Sequence, residues 1–148
     1  MRLLRYVEHW MSNQTTRILI ADDDHDIHDL VHAVLEPKGY QLFDAFNGDE
    51  ALEMALLEKP DLVVLDVMMP GLNGWELARY FRSKPEFRTM GIVVLTGIGE
   101  TLNDMTSPLY GADLHLNKPF EVDDLTEAVS GVLKSVRERA ANPGASPE

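Results

Sequence analysis

The chain contains no cysteine, which removes a disulfide framework, a thiolate metal site and a cysteine nucleophile together. That composition fits a reducing cytoplasm. Long apolar runs are missing too. Nothing approaches the roughly 20 consecutive apolar residues of a membrane span. The opening Met1-Arg2-Leu3-Leu4-Arg5 is positive, but Glu8 and His9 interrupt before any signal-peptide apolar segment develops. Basic residues are scarce: 13 Lys and Arg face 25 Asp and Glu, a formal net charge of -12. Such a balance excludes non-specific nucleic-acid binding and adsorption to an anionic membrane. These absences predict a soluble cytoplasmic protein with no nucleic-acid partner and no membrane insertion.

What is present is regular. The 148 residues suit one compact domain. From Arg17 to Arg139 apolar runs alternate with amphipathic stretches. The runs are Arg17 to Ala21, Tyr40 to Ala45, Leu62 to Leu65, Ile92 to Leu95, and Leu114 to Leu116. Between them Ile27, Leu30, Val31, Val34 and Leu35 keep helical spacing, as do Ala51, Leu52, Ala55 and Leu56. Trp75, Ala78 and Phe81, and later Leu125, Val129, Val132 and Val136, carry the same pattern. Strand and helix in alternation predict an α/β fold, a parallel sheet covered on both faces. The first, third and fourth runs are nearly all apolar, as in strands buried on both sides, whereas the second and fifth suit edges. The order is then 2-1-3-4-5, a doubly wound five-stranded parallel sheet with its ligand site at the strand carboxyl ends.

Residues 17–139 form the expected domain. Residues 1–16 lie outside the alternation as an N-terminal extension, disordered or upstream of a true start near Met11. Residues 140–148, with two prolines and a glycine, are expected to be a disordered tail.

The strand ends gather chemistry. Asp22-Asp23-Asp24 follow the first strand, Asp66 ends the third, Thr96 the fourth, and Lys118-Pro119 follow the fifth. Asp24 is expected to cap the following helix. The remaining carboxylates repel unless a cation joins them, and an all-oxygen, water-accessible site suits Mg²⁺. A carboxylate beside Mg²⁺, a lysine and a hydroxyl is equipped for phosphoryl transfer, with Asp66 the central nucleophile.

At these positions the sequence resembles a response-regulator receiver domain of bacterial two-component systems, of the single-domain, chemotaxis-regulator-like kind. The likeness rests on Ile18 to Asp24, Leu62 to Gly71 with Gly74, Leu95-Thr96-Gly97, and Gly111-Ala112-Asp113 leading to Lys118-Pro119-Phe120. It implies a flavodoxin-like fold in which Asp66 accepts a phosphoryl group from a histidine kinase or a histidine phosphotransfer protein. It also implies that Asp23 binds Mg²⁺ directly, Asp22 directly or through water, and that Asp66 and the Met68 backbone carbonyl complete the metal ligands. Thr96 and Lys118 would contact phosphoryl oxygens, and the Lys118–Pro119 bond would be cis. The domain would be a signalling phosphoacceptor, not an enzyme, with slow self-dephosphorylation. It would switch a surface around helix 4, strand 5 and helix 5 toward a downstream protein target.

His115 stands where the family usually carries Tyr or Phe, the aromatic that moves with Thr96. Pro108 falls inside the expected fourth helix from Thr101, which should be short, kinked or displaced, leaving Met105, Leu109 and Tyr110 as an apolar patch. His25, His28 and His32 are expected to be a solvated flank or a partner contact, not a metal site. Three alternatives remain. A receiver excised from a longer regulator would read the same. A pseudo-receiver would act without phosphorylation. An aspartyl-nucleophile phosphohydrolase resembling the haloacid dehalogenases is disfavoured, since Met68 offers no proton where those enzymes place a general acid.

Overall fold

The structure, a computed structural model, describes residues 15–97 and 111–141. Five parallel strands form one sheet in the order β2-β1-β3-β4-β5. They are β1 (Arg17–Ala21), β2 (Gln41–Ala45), β3 (Leu62–Asp66), β4 (Gly91–Thr96) and β5 (Leu114–Asn117). Burial follows position in the sheet. β3 and β4 are buried along their whole length and β1 from Ile18 onward. The edge strands β2 and β5 remain half-buried or exposed for most of theirs. This is the doubly wound arrangement that the apolar runs specify.

Side-chain alternation along the central strands splits the core into two layers. Leu19, Val63, Leu65, Ile92 and Val94 pack with residues of α2 (Gly48–Glu58) and α3 (Gly74–Ser83), chiefly Ala51, Ala55, Leu77, Ala78 and Phe81. Ile18, Ile20, Leu62, Val64, Val93 and Leu95 pack with Val31 and Leu35 of α1 (His25–Leu35), and with Leu125, Val129 and Val132 of α4 (Val122–Ala141). Each fully buried aliphatic side chain contributes about 1.5–3 kcal/mol relative to an exposed one.

The helix starts are written locally. Asp24, Asn47 and Asn73 are N-caps whose side chains accept from the backbone N–H groups of Asp26, Glu50 and Glu76. Asp24 is thus the cap expected of it. Ala140 and Ala141, expected to open the tail, continue α4.

At the opposite end of the sheet from the site, Asp113 ties β5 to its neighbours. It accepts from the Ile92 N–H at 2.8 Å, from Arg82 at 2.8 Å and from Arg139 at 2.7 Å. Arg82 also donates to the carbonyls of Gly111 and Met90. Gly111 takes a positive φ of 71°, and an added Cβ would sit 2.3 Å from Arg82 Cγ. Burial lowers the Arg82 pKa, and the charge of Asp113 opposes that shift.

The expected fourth helix with Pro108, and the Met105, Leu109 and Tyr110 patch, lie outside the described residues. The label α4 therefore belongs to the helix that the sequence pattern counts as the fifth. Most of the extension and the remainder of the tail lie outside as well.

Candidate functional site

Parallel pairing puts the strand carboxyl ends level. Ala21 pairs with Ala45 and Leu65, Asp66 with Leu95, and Thr96 with Asn117. α1, which follows β1, and α3, which follows β3, cover opposite faces of the sheet, so the loops after β1 and β3 part and leave a crevice between them. Asp22, Asp23 and Asp66 meet there, each offering a carboxylate oxygen within 4.8 Å of the others. Asp22 is inaccessible to solvent, Asp66 is 4% exposed, and Asp23 faces out.

Among the described residues one cation answers them. Lys118 Nζ lies 2.8 Å from Asp22 Oδ2 and 3.5 Å from Asp66 Oδ1. The Lys118–Pro119 peptide is cis. Asp22 Oδ1 accepts from the Asp24 N–H at 2.9 Å, and Asp66 Oδ1 from the Met68 N–H at 3.3 Å. Gly74 lets α3 start against β3: an added Cβ would lie 2.4 Å from the Asp66 carbonyl oxygen.

Burial, and then the charge of Asp22, pushes the Asp66 carboxyl up to about 7, against the opposing pull of Lys118 and the Met68 N–H. Burial alone would lower Lys118, but its hydrogen bond to Asp22 and the charge of Asp66 outweigh this and raise it. Among the described residues, three carboxylates face one ammonium, a shortage of positive charge. The donor set is all oxygen, and the exposed Asp23 side is open to water. Both properties fit a hard divalent cation of the Mg²⁺ class. Among the described residues this is the cluster able to hold a metal ion.

Thr96 is fully buried, and its hydroxyl is held by strand β5. Oγ1 lies 2.9 Å from Asn117 Oδ1 and 3.3 Å from the Leu116 carbonyl oxygen. His115 is half-buried and pairs with Val94, two residues back from the Thr96–Asn117 pair and on the same sheet face. Met68 is 67% exposed beside the crevice, which gives its side chain no place in the core.

The α1 histidines correct an expectation. His25 is exposed, as a solvated flank would be, but His32 is half-buried and His28 is buried. His28 is 4% exposed and shares the buried face with Val31 and Leu35. Its Nε2 lies 2.7 Å from the Asp22 carbonyl oxygen, which can only accept, so Nε2 carries a proton. Its Nδ1 lies 2.5 Å from Asp44 Oδ1 on β2, and His32 Nε2 reaches the same carboxylate at 2.9 Å. His25 and His28 both stack on Phe46. A polar residue at helical spacing with Val31 and Leu35 is the available sequence signal. It stays mute until β2 brings Asp44 alongside.

No described helix is long and apolar enough to cross a membrane. Comparison with known proteins gives a consistent result. The family described as "Response regulator receiver domain" matches residues 18–130. Sporulation initiation phosphotransferase F of Bacillus subtilis is 38% identical over 117 residues, 79% of this chain and 93% of that protein. A "Probable transcriptional regulator ycf27" of Porphyra purpurea is 36% identical over 134 residues, and the chain spans 54% of its length. Among solved structures, a CheY-like response regulator receiver domain protein of Methanospirillum hungatei superposes with a TM-score of 0.78 at 29% identity. That match covers 85% of this chain and 99% of the other.

Proposed function

The chain belongs to the response regulator receiver family, and we propose that Asp66 is the carboxylate on which it accepts a phosphoryl group. One observation carries the proposal: Asp66 is buried in the crevice, with a lysine ammonium at 3.5 Å and carboxylate oxygens of Asp22 and Asp23 within 4.8 Å of its own. An Asp66 carboxylate oxygen attacks phosphorus, and the bond from phosphorus to the donor's leaving atom breaks. Lys118 offsets charge on the transferred oxygens. Asp22, Asp23, Asp66 and the Met68 backbone carbonyl would hold Mg²⁺, which supplies further neutralisation of the carboxylates and phosphoryl oxygens when bound. Thr96 donates its hydroxyl to a phosphoryl oxygen, and His115 follows the change.

The donor class is a histidine kinase or a histidine phosphotransfer protein of the cytoplasm. The Bacillus relative, itself a phosphotransferase by name, supports that choice. Residues 17–139 form the unit that responds. It acts as a signalling phosphoacceptor, with slow loss of the group to water, and it passes its state to a protein target.

The test is intact-mass measurement after incubation with Mg²⁺ and acetyl phosphate. The expected result is one phosphoryl addition, abolished by chelation and by Asp66→Asn. Unchanged mass in the wild type would contradict the proposal and favour a phosphorylation-independent interaction module.

A further inference from the structure

We propose that Asn117 is a positioning residue that latches the Thr96 hydroxyl away from the phosphorylation site, and so sets how readily the domain switches. This inference rests on the phosphoacceptor reading of Asp66.

The argument starts from the Thr96 side chain. Thr96 is fully buried, and a buried hydroxyl left without an acceptor is costly. It has one proton to donate. In the structure that proton has two candidates, Asn117 Oδ1 at 2.9 Å and the Leu116 carbonyl oxygen at 3.3 Å. Both lie on β5, and the shorter contact is to the side chain.

Asn117 is placed for this by register. It pairs with Thr96 across the β4–β5 ladder, so the two side chains leave the same face of the sheet. The pair is braced on one flank, where the Lys118 N–H donates to the Thr96 carbonyl at 2.6 Å. His115 stands on that same face, two residues earlier on β5. An acceptor at position 117 therefore competes directly with a phosphoryl oxygen on Asp66. The hydroxyl can serve only one of them. Phosphorylation exchanges one acceptor for another, and the strength of the contact it gives up enters the switching equilibrium. The adjacent Lys118 leaves from the next position of the same strand end, so the latch and the phosphate-facing lysine are set by one short segment.

The experiment measures the rate of phosphoryl uptake from acetyl phosphate in saturating Mg²⁺ by intact mass. It is paired with methyl NMR of Thr96 in the unphosphorylated state. Asn117 is exposed at the end of an edge strand, so Asn117→Ala should fold. The expected result is an uptake rate raised about threefold to tenfold, the range a single net hydrogen bond spans. The Thr96 methyl resonance should also move, before any phosphate is added, toward its phosphorylated position. A structural disturbance of β5 would act whatever residue 96 is, and a latch would not. The effect of Asn117→Ala should therefore persist in a Thr96→Ser background, which keeps the hydroxyl, and vanish in Thr96→Val.

Equal rates for wild type and Asn117→Ala, or an undiminished effect in Thr96→Val, would overturn the latch while leaving the acceptor role of Asp66 intact. No phosphoryl uptake in the wild type would instead overturn the reading on which the latch rests.

Discussion

Replacing Asp66 by Asn should stabilise the metal-free protein, in a way that depends on pH. Burial and Asp22 raise the Asp66 carboxyl from 3.8 to about 7 in the folded state. The unfolded chain therefore ionises Asp66 about three pH units earlier than the folded one. Below the unfolded value both states are protonated, and the group contributes nothing to the pH dependence. Between the two values the folded state binds the extra proton, so stability falls as pH rises. Above about 7 both states are ionised, and the penalty is complete. At ~1.4 kcal/mol per unit the ceiling is roughly 4 kcal/mol, and 2–4 kcal/mol is the working range. Asn has the shape of Asp without the charge.

Urea unfolding of wild type and Asp66→Asn in chelator, from pH 4 to pH 8, gives the comparison. The two should be close in stability at pH 4. The variant should gain steadily to a plateau above pH 7, and saturating Mg²⁺ should shrink the difference. A variant no more stable than wild type at pH 8 would refute the electrostatic picture of the crevice.

Asp44→Asn should weaken the β2–α1 connection and lower the pKa of His32. In wild type, hydrogen bonds to Glu36 and Asp44 raise that value against the opposing effect of burial. The stability due to the His32 pair is present below about 6.5 and lost as pH rises through the raised folded value; ring-proton NMR titration of both proteins checks the direction. Asp113→Ala leaves two arginines and the Ile92 N–H facing a gap. It should cost about 1–3 kcal/mol in urea unfolding, below the figure for a fully buried network because solvent reaches the side chains. His115→Ala should retain phosphoryl uptake on Asp66 by mass while reducing the phosphorylation-dependent shifts of β4 and β5 amides. Lost uptake in that variant would contradict its place downstream of the acceptor.

The fold was legible because its signals are local. Near-continuous apolar runs mark β1, β3 and β4 as central, and helical spacing between them leaves few other topologies. The acidic crevice was legible for a related reason. In a parallel sheet every strand ends on the same side, so Asp22, Asp66, Thr96 and Lys118 can be gathered from strand order alone. The burial of His28 is not legible in the same way, because its partner Asp44 belongs to an edge strand whose register no local pattern reports. Asn117 carries no local signal of function for the same kind of reason. Its relation to Thr96 exists only through the β4–β5 ladder, and beside Lys118 it reads as an ordinary polar strand end. A histidine within an apolar helical stripe, at positions 28, 31 and 35, is the one clue that sequence offered.

Chemical location of the phosphoryl group tests the central claim most directly. An aspartyl phosphate is a mixed anhydride, so borohydride reduces it to homoserine, whereas a free carboxylate does not react. After treatment with acetyl phosphate and Mg²⁺, then borohydride, peptide mass mapping should find homoserine at position 66 and intact aspartate at Asp22 and Asp23. Homoserine at either of those positions, or at none, would contradict the assignment of Asp66 as the acceptor.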